Sequence, residues 1–461
     1  MSVRDFIRLA EQAGRLAYVD SEVDRYLELA AVAADMDGQT VLFRRVKGYD
    51  VPVLVGVCSD RDLLARSLGV ERLNLLAALA RALANPTPPP VVAHAPCQEV
   101  VEPAVNLDAI PILTHIRGDG GPYITSGVAI IRDPDLGRNM SFHRLMQIGP
   151  DRFAARVVEG RGTATALAKT GGRLDVAICI GVSPAVLLAA AMSPPKGVDE
   201  LGIANALIPT PVVRCKTVDL EVPADAEYVL EGRFTGEYAA EGPFIDLTET
   251  WDIVRQQPVV EIQCITHRRN PIYHALLPGR SEHKLLMGMP REPTIFAEVS
   301  KVAECVDVLI TPGGTSWLHA VVQIRKRHED DGRRAIEAAF RGHGSLKHVV
   351  VVDEDIDIHS PAQVEWAIAT RFQAAHDLIV LPDEPGSSLD PSAHHAPGQK
   401  TRTSKMGLDA TIPWRTHDGR LRTPEERAEF RRVEYPPFGL LKRGFSNPNS
   451  PNGARGQNLR E

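Results

Sequence analysis

Between about residues 106 and 305 the chain is built from short β-forming pieces, among them YITSGVAIIRD, PVVRCKTVDLEV and PVVEIQCIT, separated by Gly, Pro and Asp. Runs this short, rich in β-branched residues and bounded by turn formers, read as strands joined by tight connections. The stretch therefore predicts a mostly antiparallel sheet or split barrel with few helices.

The flanks have a different texture. Residues 2 to 13 begin with Ser2 three positions before Asp5 and place Phe6, Leu9, Ala10 and Ala13 at helical spacing, a capped amphipathic helix. The apolar runs TVLFRRV and VPVLVGV then alternate with helical SDRDLLARSLG, an α/β pattern. Prolines in NPTPPPVV, residues 85 to 92, stiffen the chain and remove backbone donors, marking the end of this region. Beyond Val306, VDVLI, AVVQI, KHVVVVD and DLIVL alternate with RRAIEAAF and PAQVEWAIATRF, which predicts a second α/β domain. The expected organisation is an N-terminal α/β domain over 1–105, a central β domain over 106–305, a C-terminal α/β domain over 306–435, and a mobile or oligomer-contacting tail over 436–461.

Composition narrows the function classes. A net charge of −7 provides no field for attracting nucleic acid or an anionic membrane, so an anionic ligand must be held by local cations. The six cysteines lie at least 36 residues apart with no CxxC pair, the usage of reduced thiols in a cytoplasmic protein. The longest apolar run, VAICIGVSPAVLLAAAM, is broken by Ser183-Pro184, an N-cap and first-turn signal, and reads as strand, turn and helix rather than a membrane span.

There is no P-loop, HExxH, nucleophile elbow or glycine fingerprint. The acidic run DEDID at 353–357 reads as a solvated strand end, with a hard-cation site as the alternative, and His394-His395 as part of a solvated loop. In GRNMSFHRLMQIG, strand alternation sets Asn139, Ser141 and His143 against Phe142, Arg144 and Met146, and an arginine facing inward with Phe and Met needs an anion. The turn EGPF leaves Glu241 at a position stiffened by proline, Lys405 precedes an apolar pair in SKMGLDAT, and NPIYHALLPGRSEHKLLMG sets Glu282 beside His283.

Taken in order, YITSGVAIIRDP, GRNMSFHR, VDLEVPADAEYVLEG, EGPF, NPIYHALLPGRSEH, VDEDIDIHSPAQVEWAIATR and SKMGLDAT resemble the UbiD family of decarboxylases, over about residues 120–435. The LLPG..EH form is similar to the branch acting on heteroaromatic acids. The resemblance implies a fold of α/β plus β type: an N-terminal α/β domain, a central flavin-binding split barrel and a C-terminal α/β domain. It also implies prenylated FMN as cofactor, anchored through its phosphate by manganese or another divalent cation and by potassium, and supplied by a flavin prenyltransferase. An aromatic or heteroaromatic acid as substrate and a homodimer or larger homo-oligomer follow from the same source.

Residue by residue, the resemblance implies Asn139 and Glu241 as metal ligands, with Ser141 and Lys405 at the cofactor. Arg144 is implied as the catalytic and cofactor-contacting arginine, Glu282 as proton donor and acceptor, and His283 as a substrate-recognition residue. A glutamate at the edge of an apolar pocket suits proton transfer because desolvation raises its affinity for the proton. Three positions depart from the family: Leu277 stands where many members carry a second glutamate, Gly162 where a metal-binding histidine is expected, and Ile245 and Glu249 where EGPFGxxTG has glycines. The alternative to an active decarboxylase is a degenerate flavin-binding subunit.

Overall fold

The structure, a computed structural model, describes residues 1–395 and 399–433. It separates into two units, Met1–Thr411 and Ile412–Glu461. The tail expected over 436–461 lies outside the described residues.

The first unit opens as the sequence requires. Ser2 caps the helix Val3–Gln12 in a reciprocal box with Asp5, and Val3, Phe6 and Ala10 are buried. A four-stranded sheet follows, in the order Leu16–Val19, Thr40–Phe43, Val53–Val55 and Tyr273–His274. Its last strand comes from far along the chain and pairs in parallel, His274 beside Leu54. The proline stretch is not purely a connector, since Val91–Val92 pairs with Val212–Val213.

The central sheet is the β-rich region of the sequence. Its strands run Tyr123–Ile124, Leu145–Gln147, Arg152–Ala155, Arg255–His267, Tyr228–Glu241, Arg173–Ile180, Val128–Asp133 and Gly137–Phe142, with Val100–Val101 joining Arg255–His267 from the side. The neighbours along this path are antiparallel. The longest pair, Tyr228–Glu241 with Arg255–His267, shifts register between Glu231 and Gly232 and again between Phe234 and Tyr238. Bulges of this kind increase local twist and re-aim the strand end, and here that end carries Glu241. The apolar run around Ser183 forms the strand Arg173–Ile180 and the wholly buried helix Pro184–Ala191, whose N-cap Ser183 accepts a hydrogen bond from Val186 N–H.

The C-terminal sheet of this unit runs Glu304–Ile310, His319–Arg325, His348–Asp353, Arg402–Asp409 and Leu378–Pro385, with the helices Asp331–Gly342 and Pro361–Arg371 in the connections. The acidic run does not simply face solvent: Asp353 and Asp355 both pair with the buried Arg371, at 3.2 and 2.6 Å. The second unit contributes the short helix Pro424–Ala428, closed by a Thr423–Glu426 capping box. All six cysteines are free. Among the described residues no helix is long and apolar enough to cross a membrane.

Candidate active site

A cavity of about 490 Å³ lies between the central sheet, the loop 156–163, the helix Ser281–Gly288 and the C-terminal sheet region. Asn139, Ser141, Arg144 and His283 line it. Strand alternation predicts opposite faces for Asn139 and Arg144, yet both reach the cavity. The strand Gly137–Phe142 ends before His143, and Arg144 leaves from the irregular link to Leu145–Gln147.

Arg144 has the anions that its apolar neighbours demand, three of them. Its Nε and one terminal nitrogen donate to Glu241 at 2.8 and 3.0 Å, and the terminal nitrogens also donate to Asp246 and Asp252, each at 2.8 Å. The guanidinium lies 4.6 Å from the centre of the Phe244 ring, a cation–π contact. Burial works against its charge, but the hydrogen bonds and charges of Glu241, Asp246 and Asp252 outweigh this and hold it above its ordinary range. Tyr123 donates its hydroxyl to Glu241 Oε1 at 3.1 Å, and burial followed by that carboxylate push the phenol up. Asp246 and Asp252 line the cavity, and Asp252 also accepts from Arg255 at 2.5 Å. Leu277, in place of a second glutamate, is buried in the apolar core. The hairpin Phe244–Ile245 with Trp251–Asp252 brings carboxylates to the arginine instead.

Glu241 therefore does not stand where a metal ligand is expected. It is fully buried against Arg144 and Tyr123, and Asn139 shares neither partner. The carboxylate that Asn139 meets is Glu200, which the sequence reading passes over. Asn139 Nδ2 donates to Glu200 Oε1 at 3.0 Å, and Met140 N–H donates to Oε2 at 2.8 Å. Burial pushes the Glu200 carboxyl up to about 7, against those two hydrogen bonds. Asn139 Oδ1 is buried without a partner. A buried orphan oxygen beside a carboxylate is the donor chemistry of a hard cation.

A side chain at Gly162, where a histidine is expected, would have to displace the Asn139 amide. A Cβ there would come within 2.7 Å of Asn139 Oδ1. His143 is close by: its Nδ1–H donates to the Arg156 carbonyl at 3.0 Å, leaving Nε2 as an acceptor 2.9 Å from the Thr163 hydroxyl and 3.4 Å from that of Ser141. Burial pushes this ring down to about 4, so it is neutral. Lys405 does not line the cavity: its ammonium donates to the Gly344 carbonyl at 2.8 Å and lies 5.2 Å from the Phe340 ring centre.

Glu282 and His283 part company. Glu282 lies in the first turn of the helix Ser281–Gly288 and is buried away from the cavity, its carboxylate accepting from Gly56 N–H at 2.8 Å, Cys58 N–H at 3.1 Å and His274 Nε2–H at 2.9 Å. A carboxylate so fully engaged is not placed to protonate a ligand in the cavity. His283 does face it. Gly279 N–H donates to its Nδ1 at 3.0 Å, which makes Nε2 the protonated nitrogen. Burial lowers its affinity for a second proton, with Asp246 opposing that and Arg144 adding to it.

Two more groups escape the sequence reading. Arg291 lines the cavity with its Nε buried and unpartnered, and burial and then the charge of Arg161 push it down to about 9. Asp246 sits inside EGPFIDLTE, two residues past the turn. Its signal is the acid that follows the turn; Glu200 left only an N-cap pattern, Asp199 before a helix.

Comparison with known proteins agrees with this architecture. Family models match residues 7–83, 90–281 and 284–410, described as the N-terminal, Rift-related and C-terminal domains of 3-octaprenyl-4-hydroxybenzoate carboxy-lyase, UbiD. An anhydromevalonate phosphate decarboxylase of Methanothermobacter thermautotrophicus is 43% identical over 420 residues, covering 89% of this chain and 97% of its own. The UbiD-class enzyme HmfF from Pelotomaculum thermopropionicum, solved with FMN, superposes with a TM-score of 0.89 at 42% identity, covering 96% of this chain and 99% of that one. The vanillic acid decarboxylase of Sedimentibacter hydroxybenzoicus in its closed form gives a TM-score of 0.81 at 27% identity, over 96% and 99% of the two chains. With all three domains matched in order and a relative this similar along nearly its whole length, the chain belongs to the UbiD family of carboxy-lyases.

Proposed function

We propose that this protein reversibly decarboxylates an aromatic or heteroaromatic acid with prenylated FMN, and that Asp246 moves the proton. The observation that carries the reading is a carboxylate at the cavity wall fixed by a buried guanidinium, Asp246 on Arg144 at 2.8 Å. Bound at the cavity, prenylated FMN supplies the electron sink that a ring carbon losing CO2 requires. Arg144 orients Asp246, and Glu241 and Asp252 hold Arg144, so the acid meets the reacting carbon in one geometry. Phe244 walls this end against water. His283 Nε2–H donates to the substrate.

At the other end the residues suit a phosphate and its cations. Asn139 and Glu200 offer oxygens to manganese or a similar divalent ion, neutral His143 offers Nε2, and Ser141 offers a hydroxyl to potassium. The cofactor comes from a flavin prenyltransferase, and the protein works as a homo-oligomer.

The substrate carries a second anionic group. His283, Met287 and Arg291 follow one another at spacings of four and all line the cavity, so one face of this helical segment presents an imidazole and a guanidinium whose Nε has no hydrogen-bond partner among the described residues and which lies 5.4 Å from the Trp317 ring centre. A half-buried arginine with no carboxylate paired to it favours an anion. A phosphate-bearing acid, as in the name of the archaeal relatives, and a heteroaromatic dicarboxylate both supply one.

The test is co-expression with a flavin prenyltransferase, then cofactor mass, absorption and turnover on heteroaromatic mono- and dicarboxylates and on unsaturated phosphorylated acids. Loaded cofactor with CO2 release from a ring acid supports the reading. Loaded cofactor without release from any acid makes the chain a flavin-binding subunit.

A further inference from the structure

Glu282 is an ionisable side chain with no part in the chemistry above, buried and held by three donors. Those donors belong to two other parts of the fold. Gly56 and Cys58 form the turn after the strand Val53–Val55, and His274 ends the strand paired with it. The turn requires a glycine: Gly56 has φ +81°, and a Cβ there would lie 2.0 Å from the Gln39 carbonyl oxygen. A second anchor stands beside it. Asp37 accepts from Ser281 N–H at 3.0 Å and from the Ser281 hydroxyl at 2.9 Å, supplying from a distance the cap that Arg280 does not give the helix.

We infer that Glu282, with His274 and Asp37, is a positioning clamp that fastens the first turn of the helix Ser281–Gly288 to the N-terminal region and so sets where His283 enters the cavity. Adjacent residues on a helix point about 100° apart, so fixing Glu282 on one side fixes the His283 ring on the other. The Gly279 N–H bond then selects the ring's tautomer. This rests on the reading that His283 contacts substrate. Besides Glu282, the charged groups acting on that ring are Asp246, Arg144 and Lys284.

Three variants test the clamp: Glu282→Gln, which turns an amide N–H toward backbone donors, His274→Leu, which removes one donor, and His274→Gln, which restores it. The expected result is a KM rise of about tenfold for Glu282→Gln and His274→Leu, with kcat and deuterium exchange at the product ring carbon within about threefold of wild type and His274→Gln near normal. Nitrogen-15 spectra of histidine-labelled protein without substrate, with His283→Asn for assignment, give a readout independent of turnover. The wild type shows the single Nε2–H tautomer, and Glu282→Gln shows an averaged one. Should Glu282→Gln not fold, Asp37→Asn probes the same helix end. A wild-type tautomer and KM in folded Glu282→Gln and His274→Leu overturn the clamp, as does loss of exchange in Glu282→Gln with retention in Asp246→Asn. Absence of turnover in loaded wild type refutes the functional reading alone, and the spectra still decide the clamp.

Discussion

Asp246 Oδ2 lies 2.8 Å from a terminal nitrogen of Arg144, while Glu241 takes the Nε edge of the same guanidinium. The same arginine thus holds Asp246, which like Asp252 lines the cavity, and Glu241, which does not. In the proposed function the first moves the proton and the second fixes the geometry.

Asp246→Asn keeps size and one hydrogen bond to Arg144 but removes the transferable proton. Turnover is expected to fall about 10²–10⁴-fold, with flavin content unchanged and deuterium exchange at the product carbon lost. Exchange at the wild-type rate would assign the proton to another group.

Arg144→Lys keeps the charge but cannot satisfy three carboxylates, because an ammonium lacks the planar fork of the guanidinium. Leaving buried carboxylates unpaired costs about 3–5 kcal/mol, so both melting temperature and turnover should drop. Chemical denaturation of the metal-free protein reads the stability loss directly, and an unchanged midpoint would show that the cluster rearranges around lysine.

Glu200→Ala should lower bound divalent metal and flavin together, since it removes the carboxylate beside Asn139. Glu241→Ala should instead keep metal while losing turnover and stability. Metal analysis and flavin absorbance on the two purified variants separate the assignments, and metal loss in Glu241→Ala alone would restore that residue to the metal site.

Arg291→Gln should act on substrate choice. Loss of a charge-assisted hydrogen bond costs about 1.5–3 kcal/mol, so kcat/KM should fall about 10–150-fold for an acid with a second anionic group and little for a monoacid. Equal losses on both would place Arg291 at the cofactor.

Burial holds the His283 ring below its ordinary range. The neutral form therefore persists as pH falls past about 6.5, the free imidazole value, and its Nδ1 goes on accepting from Gly279 N–H. A kcat/KM profile should show no limb at that pH but one lower down, and His283→Asn should remove it.

Local signals in the chain were enough for several of the elements. The Ser2–Asp5 box, the Ser183-Pro184 cap and the β-branched runs of the centre act over a few residues, so spacing and residue type determine them. The need of Arg144 for an anion was also legible, because a charge among apolar neighbours cannot stay unpaired in a core. Which anion answers was not. Glu241, Asp246 and Asp252 lie 97 to 108 positions away, brought in by two register shifts and a short hairpin. The roles within Glu282-His283 were decided by tertiary structure too. Both share one short helix, and only the packing of that helix against Gly56, Cys58 and His274 on one side and the cavity on the other turns the carboxylate inward and the imidazole toward the cavity. Side-chain direction on a helix follows from sequence, whereas what lies in that direction is set by elements hundreds of residues apart.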